Sequence, residues 1–179
     1  SDDLSEATEA PFHIVQKTEE LGAHCINDTE PDYPKNLLAT TGFPLVLYYR
    51  GDPNSVNHKP NVAIVGSRKA CHSSLEMARD AARLIAGKGI NIVSGLAIGC
   101  DTAAHLGALE GKGTTTAVLA DGLDRVYPKV NQRLAEQILA NGGVLITEHL
   151  LHRPGNYKYF VPRNRIQAGL SDAIIVIEA

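Results

Sequence analysis

The sequence predicts an α/β domain in which helices flank a parallel sheet. Short, wholly apolar segments alternate with amphipathic segments of helical length, and most of the apolar segments end in a glycine-containing turn. Such alternation is typical of βαβ units with right-handed crossovers. The predicted strands are residues 62–65, 91–94, 114–119, 144–147 and 173–178.

The predicted helices lie between these strands. Ser73 with Glu76 three residues later forms a capping-box pattern that predicts a helix start, and Gly87 follows the expected end of that helix. We expect Asp101 or Thr102 to cap the second helix. Further helices are predicted for residues 131–140, with Asn131 as the cap, and for residues 163–170.

The segment before the first of these strands is less regular. Residues 1–10 are small, polar and acidic and are expected to be frayed. A short helix is predicted within residues 11–22, strands at 24–26 and 44–50, and a brief helix after Pro34. We therefore divide the chain into a partly disordered extension (1–23) and a domain (24–179), in which a lead-in segment (24–58) packs on a βαβ core (61–179).

Composition limits the class of protein. With 179 residues, 44 % hydrophobic and 21 % charged, the chain suits one globular domain. No apolar run approaches the ~20 residues of a membrane span, and no signal peptide is recognisable. Cys25, Cys71 and Cys100 lie far apart without a CxxC pair, which argues against structural zinc or a disulfide framework and favours a cytoplasmic location.

The first strand leads directly into Gly66, Ser67 and Arg68. Because ligands of open α/β sheets bind at the carboxyl ends of the strands, a tight turn followed by a hydroxyl and a guanidinium suits a phosphate. An ordinary turn with a solvated arginine is the alternative. A second glycine turn spans residues 95–99. Neither the GxGxxG fingerprint nor a P-loop is present, so bound NAD and P-loop hydrolysis are rejected.

A basic, aromatic loop precedes the last predicted helix. The net charge is −3, so any nucleic-acid site must concentrate its positive charge locally. Bases stack on aromatic rings within cationic grooves when single strands are bound. The alternative is that the rings only attach the loop to the core. The aromatic and basic residues of this loop and the following helix are Tyr157, Lys158, Tyr159, Phe160, Arg163 and Arg165.

For four other polar residues, a structural role is a simpler interpretation than catalysis or metal binding. Asp101 suits a helix cap better than a catalytic acid. His105 lies among alanines with Leu109 at i+4, so packing or capping is favoured over metal binding. Asp121 and Asp124 could bind magnesium, although a turn role is favoured.

Several ordered motifs together resemble the DprA/Smf (DNA-processing protein A) family. Residues 24–179 carry the resemblance, and SGLAIGCD followed by PRNRIQAGLS is its most specific part. The motifs are VAIVGSR (62–68), SGLAIGCDTAAHLGAL (94–109), AVLADGLDRVYPKVNQRLAEQI (117–138), ITEH (146–149) and PGNYKYFVPRNRIQAGLSDAIIVIEA (154–179), after DTEPDYPKNL and PLVLYYRGD upstream.

The resemblance implies an extended Rossmann-like fold that binds single-stranded DNA as a homodimer and delivers it to the RecA recombinase in natural transformation. It implies no catalytic reaction, cofactor or membrane. The DNA pocket it implies consists of Gly66, Ser67, Arg68, Gly95, Leu96, Gly99, Tyr157, Lys158, Phe160, Arg163, Asn164 and Arg165. For Arg165 a structural ion pair is nearly as plausible.

Two departures from the family pattern stand out. The Tyr-Gly pair that commonly opens the first helix is replaced by CHSSL, and the usual Gly-Ile-Asp reads Gly99-Cys100-Asp101. The family also continues beyond the equivalent of residue 179, so the sheet is expected to be incomplete at its C-terminal end.

Two other functions are compatible with the same turns. One is a nucleotide-processing enzyme resembling the cytokinin-activating phosphoribohydrolases, whose PGGxGTxxE motif would follow residue 178. The other is a sensor that binds a single mononucleotide.

Overall fold

The computed structural model describes residues 18, 20–149, 151 and 160–178. The predictions for residues 1–17 and for Tyr157, Lys158 and Tyr159 lie outside this range. The described elements, in chain order, are β1 (Ala23–Asn27), α1 (Lys35–Leu38), β2 (Val46–Gly51), α2 (Asn54–Asn57), β3 (Asn61–Gly66), α3 (His72–Ala86), β4 (Asn91–Ser94), α4 (Cys100–Glu110), β5 (Thr115–Val118), a 3₁₀ turn (Lys129–Asn131), α5 (Gln132–Ala140), β6 (Val144–Thr147), α6 (Phe160–Leu170) and β7 (Ala173–Ile177).

The strands form one sheet in the order β1-β2-β6-β5-β4-β3-β7. The five predicted strands are confirmed and pair in parallel, with Val62 opposite both Ile92 and Ala173. The lead-in adds β1 and β2. β1 pairs antiparallel with β2, and β2 pairs antiparallel with β6. The sheet is therefore mixed, with a parallel centre and an antiparallel edge.

Alternate residues of the central strands point to the two faces of the sheet. On β3 and β4, Ala63 and Val93 face α1, α2 and α6, whereas Ile64 and Ile92 face α3 and α4. A methyl group on Gly107 of α4 would collide with the Arg79 carbonyl of α3, so this glycine allows the two helices to lie close together.

Two predicted helix caps are wrong. α3 begins at His72 after Cys71, so Ser73 lies within the first turn and its hydroxyl contacts the Cys71 sulfur (3.1 Å) instead of capping the backbone. α4 begins at Cys100 after Gly99, which places Asp101 inside the helix.

No helix among the described residues is both long enough and apolar enough to span a membrane.

Candidate functional site

The carboxyl ends of the parallel strands border a cavity of about 320 Å³ between the first glycine turn and α6. It contains part of the predicted pocket, because its lining includes Gly66, Arg68, Phe160, Arg163 and Asn164. A larger cavity, about 500 Å³, lies near the amino ends of β3 and β7. None of the residues predicted for the DNA pocket lines it. The 320 Å³ cavity is therefore the candidate site.

The backbone of the first turn is already hydrogen-bonded to the sheet. The Ser67 N–H donates to the carbonyl oxygens of Ile177 (3.3 Å) and Glu178 (3.0 Å). The Ser67 hydroxyl accepts a hydrogen bond from the Lys69 N–H (3.1 Å). The Ser67 N–H is therefore not available to an anion, and the hydroxyl is the group that Ser67 can offer.

Arg68 lies over an aromatic ring at the mouth of the cavity. Its guanidinium carbon is 4.8 Å from the centroid of the Phe160 ring, a cation–π distance. Tyr127 meets the same ring edge-on, with the ring centroids 5.6 Å apart. Because Phe160 is only 9 % exposed, its ring supports Arg68 and offers little accessible surface to a base.

The second glycine turn is held by Asp101. One carboxylate oxygen of Asp101 accepts hydrogen bonds from the N–H groups of Gly95 (3.0 Å) and Ala97 (3.3 Å). Burial raises the pKa of Asp101, while the nearby Arg163 charge opposes that shift. Asp101 is thus a turn-closing residue within α4. Leu96, at the centre of the turn, is fully buried with a φ of 58°.

The two turns lie directly against each other. Gly99 has a φ of 85°, and a methyl group there would collide with the Ser67 carbonyl and the Arg68 backbone. The Cys100 N–H donates to the Ser67 carbonyl oxygen (3.2 Å), so this part of the α4 N-terminus is not available to an anion. Gly99 therefore allows close contact between the turns.

Arg163 is buried beneath the second turn. Its side chain donates hydrogen bonds to the carbonyl oxygens of Gly95 (2.8 Å) and Val118. Burial lowers the pKa of Arg163 to about 10, and Asp101 opposes this shift. With 3 % exposure, Arg163 joins α6 to the ends of β4 and β5, so its guanidinium is engaged by the protein backbone although the sequence predicted it as a DNA contact.

Asn164 and Arg165 follow on α6 with different surroundings. Asn164 is exposed and lines the cavity. Arg165 forms a two-pronged ion pair with Glu148 (2.8 and 2.6 Å) and donates to the Gly42 carbonyl oxygen (2.8 Å). The structural ion pair considered for Arg165 is therefore present.

The remaining polar candidates are not arranged as a metal site. His105 is fully buried, with Nδ1 2.7 Å from the Thr115 hydroxyl, and burial lowers its pKa to about 3. The packing role predicted for His105 is thus confirmed. Asp121 is 3 % exposed, and burial raises its pKa. Within the described residues, no three histidine, cysteine or acidic side chains converge to hold a metal ion.

The site was only partly recognisable from the sequence. Tyr127, which contacts Phe160, is not among the residues predicted for the pocket, although it lies in the motif AVLADGLDRVYPKVNQRLAEQI (117–138) between Arg125 and Lys129. An aromatic residue between two basic residues is a local pattern from which Tyr127 could have been predicted as a site residue.

A family model and several curated relatives match most of the chain. The family model of DNA recombination-mediator protein A matches residues 24–179. The chain is 42 % identical to the DNA processing protein DprA of Streptococcus pneumoniae, over 82 % of this chain and 51 % of that protein. It is 38 % identical to protein Smf of Escherichia coli, over 90 % and 43 % respectively. The chain thus spans about half the length of these relatives.

Two solved structures have the same fold. DprA from S. pneumoniae superposes with a TM-score of 0.80 at 35 % identity, covering 87 % of this chain and 54 % of that one. DNA processing protein A from Helicobacter pylori superposes with a TM-score of 0.76 at 29 % identity, covering 86 % and 68 %. The H. pylori structure is described as showing that protein's single-stranded DNA binding mode.

Proposed function

Since the chain belongs to the DNA recombination-mediator protein A family, we propose that it binds single-stranded DNA at the carboxyl edge of its sheet. Arg68 contacts a phosphate at the mouth of the cavity, and Asn164 contacts phosphate or sugar beside it. The observation that carries this proposal is the placement of the Arg68 guanidinium over the Phe160 ring, in a cavity also lined by Asn164.

In this proposal the buried residues position those that touch DNA. Arg163 fixes α6 against the second turn, which sets the place of Phe160 and Asn164 on the same helix. Gly66 and Gly99 bring the two turns together beside Arg68. The solved H. pylori relative, described with a single-stranded DNA binding mode, supports this assignment.

Binding as a function of chain length and salt tests the proposal. We expect affinity for oligo-dT to increase with length and to fall linearly on a log–log plot against salt, because phosphate contacts release counterions. AMP should bind far more weakly. Arg68→Ala should weaken oligo-dT binding about 10-fold or more, since a charged hydrogen bond contributes about 1.5–3 kcal/mol.

Arg83→Ala is the matched control, because Arg83 is an exposed arginine paired with Asp80 near the far end of α3. It should leave affinity unchanged. AMP binding as tight as that of a long oligo-dT would favour a mononucleotide sensor. Turnover of AMP that disappears in Arg68→Ala would favour a phosphoribohydrolase.

The family assignment leads us to propose a wider role. The protein acts as a homodimer that protects incoming single strands in the cytoplasm and transfers them to RecA during natural transformation. Support comes from the family's description as a recombination mediator. Sedimentation of the chain and RecA filament formation on strands coated with it test the dimer and the transfer separately.

A further inference from the structure

We propose that Tyr127 is the base-stacking platform of this site, its ring packing against a nucleobase of a strand whose phosphate is held by Arg68. This inference rests on the proposed function. The stacking contact with the base then comes from the loop between β5 and α5, whereas the sequence predicted it in the loop before α6.

Exposure distinguishes Tyr127 from the other described aromatic side chains. Tyr127 is 54 % exposed, whereas Phe160 is 9 % and Tyr33 is 1 % exposed. Tyr48 and Tyr49 are partly buried on β2, within the antiparallel edge of the sheet. A base needs an accessible ring face, and within the described part of the chain Tyr127 is the aromatic residue at the site that has substantial exposed surface.

The loop that carries Tyr127 is anchored on both sides. Before it, Leu123 is buried and Val126 packs against the same core. After it, the Asn131 amide donates to the Leu96 carbonyl oxygen (2.8 Å) and the Thr102 hydroxyl (2.9 Å), which attaches the loop to the second glycine turn. The ring is therefore held in place before a ligand arrives, which lowers the ordering cost of stacking.

Two side chains contact the Phe160 ring near the carboxyl ends of the strands, namely those of Arg68 and Tyr127. The Arg68 guanidinium is 4.8 Å from the Phe160 centroid, and the Tyr127 centroid is 5.6 Å from the same point. A phosphate on Arg68 and a base on Tyr127 can thus belong to the same or neighbouring nucleotides. The exposed side chains of Arg125 and Lys129 flank Tyr127 in sequence and supply the positive charge that a backbone following this path requires.

Paired measurements on strands with and without bases test the inference. Binding of the 179-residue chain is measured with oligo-dT and with an abasic deoxyribose-phosphate strand of equal length. Tyr127→Ala should weaken oligo-dT binding about 5- to 100-fold and leave binding of the abasic strand within twofold. Tyr127→Phe, which keeps the ring, should bind both strands as the wild type does. The salt dependence of oligo-dT binding should be unchanged, because tyrosine carries no charge.

Equal weakening of both strands by Tyr127→Ala would overturn the inference, because the residue would then act through the shape of the site. Unchanged oligo-dT binding in Tyr127→Ala would also overturn it. Failure of the wild-type chain to bind either strand at low salt is a distinct result, which would overturn the proposed function itself.

Discussion

The guanidinium of Arg163 donates a hydrogen bond to the Gly95 carbonyl oxygen (2.8 Å), and it occupies the space that a side chain at Gly95 would need. One residue follows β4 and the other lies on α6, 68 positions later in the chain. Their contact fixes the helix that carries Phe160 and Asn164 against the second turn. The geometry of the candidate site depends on this link.

Gly95→Ala is therefore expected to destabilise the domain. The added methyl group collides with both Arg163 terminal nitrogens and with the Gln167 amide. Arg163 is buried and hydrogen-bonded to the Gly95 and Val118 carbonyls, so it cannot move aside without losing these bonds, and we expect a cost of about 1–3 kcal/mol. Urea unfolding gives the free energy of unfolding. Gly87→Ala is the control, because Gly87 has helical backbone angles and its nearest contact is the Arg83 carbonyl at 3.2 Å. A Gly95→Ala protein as stable as Gly87→Ala would contradict the close packing of Arg163.

A comparison of Arg163→Met with Arg68→Ala should distinguish a residue that stabilises the fold from one that binds DNA. Loss of Arg163 leaves the Gly95 and Val118 carbonyls without this donor in a buried place, so we expect a loss of about 3 kcal/mol in the free energy of unfolding. Loss of Arg68 removes a cation–π contact, and we expect a loss of no more than about 1 kcal/mol. Chemical denaturation and oligo-dT binding are measured on each variant. A stable Arg163→Met protein with weak DNA binding would instead indicate direct DNA contact by Arg163.

The Arg165–Glu148 pair should contribute more to stability than an exposed pair. Its geometry is two-pronged and partly buried, so a double-mutant cycle with Arg165→Met and Glu148→Gln should give a coupling energy of about 1 kcal/mol or more. The equivalent cycle for the exposed Arg83–Asp80 pair should give less than about 0.5 kcal/mol. Because Arg165 is held by Glu148 and is not among the residues that line the cavity, Arg165→Met should weaken oligo-dT binding less than Arg68→Ala does.

Because His105 is buried without charge, the free energy of unfolding should decrease as the solution becomes acidic. Its pKa is about 3 in the folded chain, against an ordinary value of 6.5, so the unfolded chain binds more protons between these values. This contribution is complete above pH 6.5 and decreases by about 1.4 kcal/mol per pH unit as the pH falls from there toward 3. Subtracting the pH profile of His105→Gln from that of the wild type isolates the effect. The same subtraction for the exposed His72→Gln provides the control. Parallel profiles for wild type and His105→Gln would contradict burial of an uncharged imidazole.

The sequence alone determined the alternation of strands and helices and the two glycine turns at one sheet edge, and it limited His105 to a packing or capping role. These follow from local apolar patterns and from the rule that parallel strands end at a common edge. The N-caps of α3 and α4 were predicted wrongly, because a shift of two or three residues in a helix start alters which side chain can reach the free N–H groups. The antiparallel pairing of β2 with β6 depends on residues about 100 positions apart, which local periodicity does not encode.

The tertiary structure alone decided which of the basic and aromatic residues are exposed and which are buried or paired. Arg163 and Arg165 look alike in the sequence, yet one is buried under Gly95 and the other is paired with Glu148. Phe160 is covered while Tyr127 is exposed. The physical reason is that exposure and pairing are set by where α6 crosses the ends of β4 and β5, through contacts between segments far apart in the chain.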